Sequence, residues 1–418
     1  MERRKDNKGR VLRDGESYRK SDGLYMYRWF ERDGERKTVY GNSLEKLREK
    51  EDEIQRDMGD GIRSDAKYVM INDIYEMWKR DKVGLKQTTE TNYTYTYEHF
   101  VKKSIGQMRV KDLKKSDVRR FYNRLIDTDG IQFNTLDNIH TVLHQVLNIA
   151  KDDEYIRTNP SDGCVGECKR AHGYEEPKQH SLTFPEQEAF LNYMKETPQF
   201  RHWCPLFTFL IGTGTRISEA VGIRWEDIHL KEEEPYIEIN HNTVYYSREK
   251  GKCYFSVTTP KTEAGIRIIP VMDSVKEALK EERKFQMEMG LRCQVEIDGY
   301  SNFVFLNRYG NIHNPQTVNR AIKRITLHYN EEEIEKAEKE HREPLLLPNF
   351  SCHNLRHTFA SRLCESERNL KAIQEIMGHK DISTTMDVYA EATKEVKVHS
   401  MKNLEENLEK MREKRRRA

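Results

Sequence analysis

The apolar pattern changes character along the chain, and one uniform architecture cannot accommodate the change. Near the N-terminus, "LYMYRWFERDGERKTVYG" carries two β-rich runs around Asp33-Gly34. An Asp-Gly pair between such runs predicts a hairpin. A shorter run ends at a second turn signal, Asp22-Gly23. Ser43 then opens a helix with Leu44, Leu47, Ile54 and Met58 on one stripe, enough to cover one face of a three-stranded sheet. Arg19, Lys20, Arg28 and Tyr40 belong to the opposite face. A basic sheet face of that kind can lie in a DNA groove.

From residue 68 the pattern becomes helical. "VMINDIYEMWKRD" and "TLDNIHTVLHQVLNIAKDDEYI" are amphipathic, the second through Leu136, Ile139, Val142, Leu143, Val146, Leu147 and Ala150. This segment holds no acid–base cluster and reads as a helical bundle suited to binding. Asn159-Pro160 closes it, and 161–180 reads as linker. Beyond, helices and strands mix. Thr183 caps a helix in "TFPEQEAFLNYM", and "YFSVTTPKTEAGIRIIPV" predicts a hairpin with its polar turn at 260–265. The expected fold is multidomain, mostly α with α+β parts: an N-terminal three-stranded sheet plus helix over 1–62, a helical bundle over 68–162, a mixed α/β domain over 178–400, and a basic tail over 401–418.

Composition narrows the function. The net charge of +2 gives no bulk argument for nucleic acid. Its distribution does: residues 1–28 hold nine Lys/Arg against five Asp/Glu, and 410–418 hold six against one. Basic ends suit phosphate contacts. No apolar run is long enough to span a bilayer, and the first residues lack the apolar core of a secretory signal, so a cytoplasmic protein is expected. Seven scattered cysteines predict reduced, mostly buried thiols. Cys164, Cys168 and His172 lack a fourth ligand for zinc.

The chemistry lies in the third segment. It has no phosphate-binding G-x-x-x-x-G-K-[ST] loop and no H-E-x-x-H. His353 and His357 have a metal-ligand spacing, but no third ligand is evident. Within "HNLRHT", His353 and Arg356 are three apart and share a helix face, a better phosphate clamp than a metal site. In "TGTRISEA", Arg216 follows two glycines at a helix start, with Glu219 placed to orient it. Lys261 tops the turn "TPKTEAG" as a potential proton donor. In "MGHKDISTTMDVYA", Gly378 ends an amphipathic helix, His379 is exposed on the loop, Ser383 caps the next helix and Tyr389 lies in its second turn.

These four stretches, in this order, resemble the tyrosine recombinases of the phage-integrase family. "DNKGRVLRDGESYRK" and "VEIDGYSNFVFLNR" extend the resemblance to integrases of conjugative transposons. The resemblance implies an arm-type DNA-binding domain, a core-type DNA-binding domain and a catalytic domain, in that order. It implies a catalytic set of Arg216, Lys261, His353, Arg356, His379 and Tyr389, with Glu219 in support. Tyr389 would form a covalent 3′-phosphotyrosine and release a 5′-hydroxyl. No metal, ATP or other cofactor is expected. The implied partners are double-stranded DNA at core and arm sites, a homotetramer on DNA with a docked C-terminal segment, and an excision factor. A type IB topoisomerase-like nicking-closing enzyme and a non-catalytic DNA-binding regulator are the alternatives.

Overall fold

A computed structural model describes residues 4–30, 34, 36–59, 61–176, 181–249, 252–260, 263–386, 388 and 390. They fall into two compact units, Met1–Glu176 and Pro177–Ala418.

The first unit opens with the antiparallel sheet β1 (Glu16–Arg19), β2 (Leu24–Phe30) and β3 (Arg36–Gly41), followed by α1 (Leu44–Gly59). Strand alternation turns Tyr25, Tyr27 and Trp29 inward onto Leu44, Leu47 and Ile54. The register pairs Arg28 with Thr38 and Met26 with Tyr40, so Arg28 and Tyr40 share the open face. Arg19 is on that face too, 5.2 Å from the Tyr40 ring centroid and paired with Asp22. Lys20 is exposed in the turn beyond β1. Met58, expected on the inner stripe of α1, is exposed; Glu51 is buried instead. Glu51 lies four residues after Leu47 and three before Ile54, on the line of the stripe. Burial and the neighbouring Glu16 carboxylate raise its pKa to about 7.

The same unit continues with α2 (Ile71–Asp81), α3 (Gln87–Thr96), α4 (Lys115–Asp127), α5 (Phe133–Asp152) and α6 (Cys164–Ala171). The α5 stripe from Leu136 to Ala150 is buried as its periodicity predicts. Each Leu, Ile or Val of the stripe contributes roughly 1.5–3 kcal/mol on burial. The expected linker at 161–180 is partly helix: α6 packs on the bundle through Cys164 and Cys168, one turn apart on its inner face.

In the second unit, α7 (Phe184–Glu196) starts at a capping box formed by Thr183 and Glu186. Helix α8 (Cys204–Thr213) is buried at every position but Thr208, which makes it the central element. After α9 (Ile217–Ala220) come β4 (Ile228–His229), β5 (Tyr236–Ile239), β6 (Asn242–Glu249), β7 (Lys252–Thr258) and β8 (Arg267–Pro270). Helices α10 (Asp273–Glu288), α11 (Pro315–Glu340), α12 (Cys352–Ser366) and α13 (Leu370–Met377) complete it, α10 and α12 packing against α8.

The strands correct one expectation. β7 and β8 do not pair with each other. β6 pairs with β7, whereas β8 joins a separate sheet of order β4-β5-β8. The segment between β7 and β8 therefore links two sheets instead of closing a hairpin. All seven cysteines are free thiols, five of them buried. Among the described residues, no helix is long and apolar enough to cross a membrane.

Candidate active site

The site is organised around the C-terminus of α13. A helix end leaves backbone carbonyls unpaired and carries partial negative charge. Gly378 stops α13 in the left-handed conformation at φ 64, where a side chain would cost about 1–2 kcal/mol. Three successive carbonyls there accept from three different arginines. Arg267 Nε donates to Ile376 O at 2.8 Å. Arg356 donates one Nη to Met377 O. Arg216 Nη2 donates to Gly378 O at 3.3 Å.

Each arginine comes from a different element. Arg216 occupies the cap position of α9; its backbone N–H and its Nη1 both donate to Glu219, at 2.9 and 2.8 Å. Arg356, on α12, is 4% exposed and donates its other Nη to Gly214 O at 2.7 Å. Gly214 ends α8 at φ 60, and a Cβ there would stand 2.2 Å from the Phe359 ring. Arg267, on β8, donates to both oxygens of Glu219 at 2.8 and 3.3 Å. The Arg267 and Glu219 side chains are each 4% exposed.

The electrostatics follow from this crowding. Burial alone would raise the Glu219 carboxyl, but Arg267 and then Arg216 outweigh it and hold the pKa at about 2. Burial, with Arg216 alongside, pushes Arg356 down; a guanidinium starts so high that it stays charged near neutrality. Three guanidiniums against one carboxylate leave two uncompensated positive charges.

The histidines are neutral by the same logic. His379 is not exposed as expected: it is 9% exposed, its Nδ1 2.9 Å from the hydroxyl of buried Thr385. Gln374 holds the following backbone by donating to the carbonyls of His379 and Lys380, at 3.1 and 3.3 Å. Burial first, then Arg356 and Arg216, lowers the His379 pKa to about 4. His353 is lowered by burial and the same two arginines. Its Nε2 lies 3.0 Å from Nε2 of His357. The helix after His379 starts at Ile382, so Ser383 falls inside its first turn instead of capping it.

Arg216, Glu219, His353, Arg356 and His379 thus gather at one place. Lys261 and Tyr389 lie outside the described residues. Sequence reasoning passes over Arg267 and Thr385, and weighs His357 only as a metal ligand beside His353. Arg267 had one available signal: with Ile269 turned into the core, strand alternation puts Arg267 on the same buried face. Among the described residues, no group of three or more His, Cys, Asp or Glu is placed to hold a metal.

Comparison with known proteins places this geometry. Residues 180–396 match the phage integrase family, 1–58 the DNA binding domain of Tn916 integrase, and 70–126 the phage integrase N-terminal SAM-like domain. The chain is 31% identical over 425 residues to the transposase from transposon Tn1545 of Streptococcus pneumoniae, covering 99% of this chain and 98% of that one. It is 30% identical over 425 residues, with the same coverage, to the transposase from transposon Tn916 of Enterococcus faecalis. Among solved structures, the Tn1549 transposon integrase in complex with transposon right end DNA superposes with TM-score 0.68 at 26% identity, over 80% of this chain and 99% of that one. A lambda integrase tetramer bound to a Holliday junction shares the fold, with TM-score 0.50 at 18% identity over 89% of this chain and 97% of that one. The chain belongs to the phage integrase family and is a site-specific tyrosine recombinase of the kind that integrates and excises mobile genetic elements.

Proposed function

We propose that the chain cuts and rejoins the ends of a conjugative element through a covalent 3′-phosphotyrosine at Tyr389. The phenol, with an ordinary pKa of about 10, attacks the scissile phosphorus and gives up its proton to water in the site. The P–O5′ bond breaks, and Lys261 protonates the departing oxygen. Attack by a 5′-hydroxyl of a partner strand reverses these steps and reseals the DNA. One phosphoester replaces another, so no nucleotide is consumed, and fixed cations leave no role for a metal.

The observation that carries this reading is the ring of arginines on carbonyls 376–378. A phosphodiester bears one negative charge, and its pentacovalent transition state approaches two. The site's two uncompensated positive charges match that state better than the ground state, which is the condition for catalysis. Arg216, His353, Arg356 and His379 bind the nonbridging oxygens in this scheme. Arg216 is the arginine with room to turn, its side chain 43% exposed.

The remaining assignments follow the same reading. The basic sheet face bearing Arg19, Arg28 and Tyr40, with Lys20 beside it, engages arm sites. The bundle over 68–162 and the catalytic domain over 178–400 each bind core-site DNA, and the chain works in the cytoplasm. Four copies assemble on two duplexes, with residues 395–418 supplying the docked segment, and an excision factor biases direction. The test uses a duplex nicked just beyond the cleavage point, so that the released oligonucleotide diffuses away. The full chain should become covalently joined to that DNA, and Tyr389→Phe should not. An undiminished adduct with Tyr389→Phe would overturn the reading. Relaxation of plasmids lacking any element end would favour a nicking-closing enzyme.

A further inference from the structure

His353 and His357 stand one helical turn apart at the head of α12. Their rings meet edge to face, 85° between planes with centroids 4.5 Å apart, and their Nε2 atoms are 3.0 Å apart. At that separation one N–H must lie between the two nitrogens. Two bare nitrogens or two N–H groups would repel. The pair therefore carries at most one positive charge while the bond lasts. A metal between them would need further ligands, and no such group exists among the described residues.

His353 has its Nε2 occupied by this bond, so only Nδ1 remains to face a ligand. Which nitrogen holds the His353 proton then decides whether it offers phosphate a donor or a lone pair. An unconstrained histidine side chain prefers its proton on Nε2, which would turn a lone pair toward the anion. We propose that His357 is a positioning residue: its Nε2–H donates to His353 Nε2 and fixes the His353 proton on Nδ1, aimed at a nonbridging oxygen of the scissile phosphate. This rests on the assignment of His353 to the phosphate site.

The surroundings set the charge of the pair. His357 faces His353 and Arg356 on its own helix and His379 beyond α13, and Arg216 bears on His353 and His379. Burial, then His353 and Arg356, pushes the His357 pKa down to about 4. His357 is thus neutral at physiological pH, not a second cation competing for the anion. In the transition state the proton on His353 Nδ1 strengthens its bond to the phosphate oxygen, while His357 holds the ring in place.

The test compares wild type, H357L and H357Q in full-length protein. Histidine labelled with ¹⁵N reports the tautomer of His353 in the DNA-free protein. Cleavage of the nicked duplex reports the rate. Leucine keeps bulk without a hydrogen bond; glutamine keeps a donor that cannot titrate. We expect His353 protonated on Nδ1 in wild type and H357Q, and on Nε2 in H357L. H357L should cleave at least about tenfold more slowly, short of the 10²–10⁴ that a general acid–base group supplies, with DNA affinity unchanged. H357Q should restore most of that loss. An Nε2–H tautomer in wild type, a wild-type rate in H357L, or H357Q as slow as H357L each overturns the proposal. If wild type makes no adduct, the phosphotyrosine reading fails, while the tautomer measurement still decides the role of His357.

Discussion

Replacing Arg267 by methionine removes the one charge shared by β8, α9 and the end of α13. Arg267 donates to Glu219 at 2.8 and 3.3 Å, to Ile376 O at 2.8 Å and to Gly265 O at 3.2 Å. Methionine fills similar space with a flexible apolar chain, so the loss is mainly electrostatic. Breaking a buried ion pair from one side costs roughly 3–5 kcal/mol, because the partner charge stays buried. For a unit of this size each kcal/mol lowers the midpoint by about 2–4 °C, so the catalytic unit should melt roughly 6–20 °C lower. Glu219→Gln alone should also destabilise, since it strips Arg267 and Arg216 of their counter-ion. The double variant leaves neither charge of the pair alone. It should be less destabilised than the sum of the singles by about 2 kcal/mol, within the usual range for residues in direct contact. Thermal and denaturant unfolding of the four proteins measures this cycle. Additivity within about 0.5 kcal/mol would refute the coupling and, with it, the account of how the arginine ring is held.

Other perturbations test neighbouring parts of the argument. Gly378→Ala places a Cβ 2.9 Å from Ala264 O and 3.0 Å from Arg267 Cδ; with about 1–2 kcal/mol of backbone strain added, adduct formation should fall at least tenfold while core-site affinity is kept, and an unchanged rate would count against the close packing. His379 has its pKa lowered from 6.5 to about 4, so the stability tied to its neutral ring is complete above pH 6.5 and lost as pH falls toward 4. Glu219 is lowered from 4.5 to about 2, so its share is present above pH 4.5 and lost as pH falls toward 2. A bound phosphate offsets the arginines and raises the histidine values, so binding should take up protons between about pH 4 and 6.5; titration calorimetry in buffers of different ionisation heat should show net uptake, and zero uptake would contradict the placement of His353 and His379. Arg28→Glu should weaken arm-site binding and flatten its salt dependence by about one unit per lost phosphate contact, with core-site cleavage unaffected.

Much of this was legible in the residues themselves. Gly378 announced a helix stop, Thr183 a helix start, and the α5 stripe its buried face, because each depends on neighbours within a turn or two. What local pattern cannot carry is the partner across the fold. β8 pairs with β5, some thirty residues earlier, instead of with β7, and a polar turn between two β-rich runs does not encode that choice. Arg267 reads as a polar strand residue until Glu219, 48 positions away, is placed beside it. His379 reads as a loop residue until Thr385 and Gln374 close over it. Residues 164–171 read as linker, because one turn of Cys-x-x-x-Cys carries too little apolar pattern to announce a packed helix.

The central claim is that fixed positive charge at the end of α13 serves a phosphorus attacked by the phenol at position 389. Mass spectrometry of peptides from the trapped protein–DNA adduct tests it most directly. A single nucleotide-bearing peptide, linked through Tyr389 to a 3′-phosphate, is the result expected. Attachment at another side chain, or through a 5′-phosphate, would contradict it.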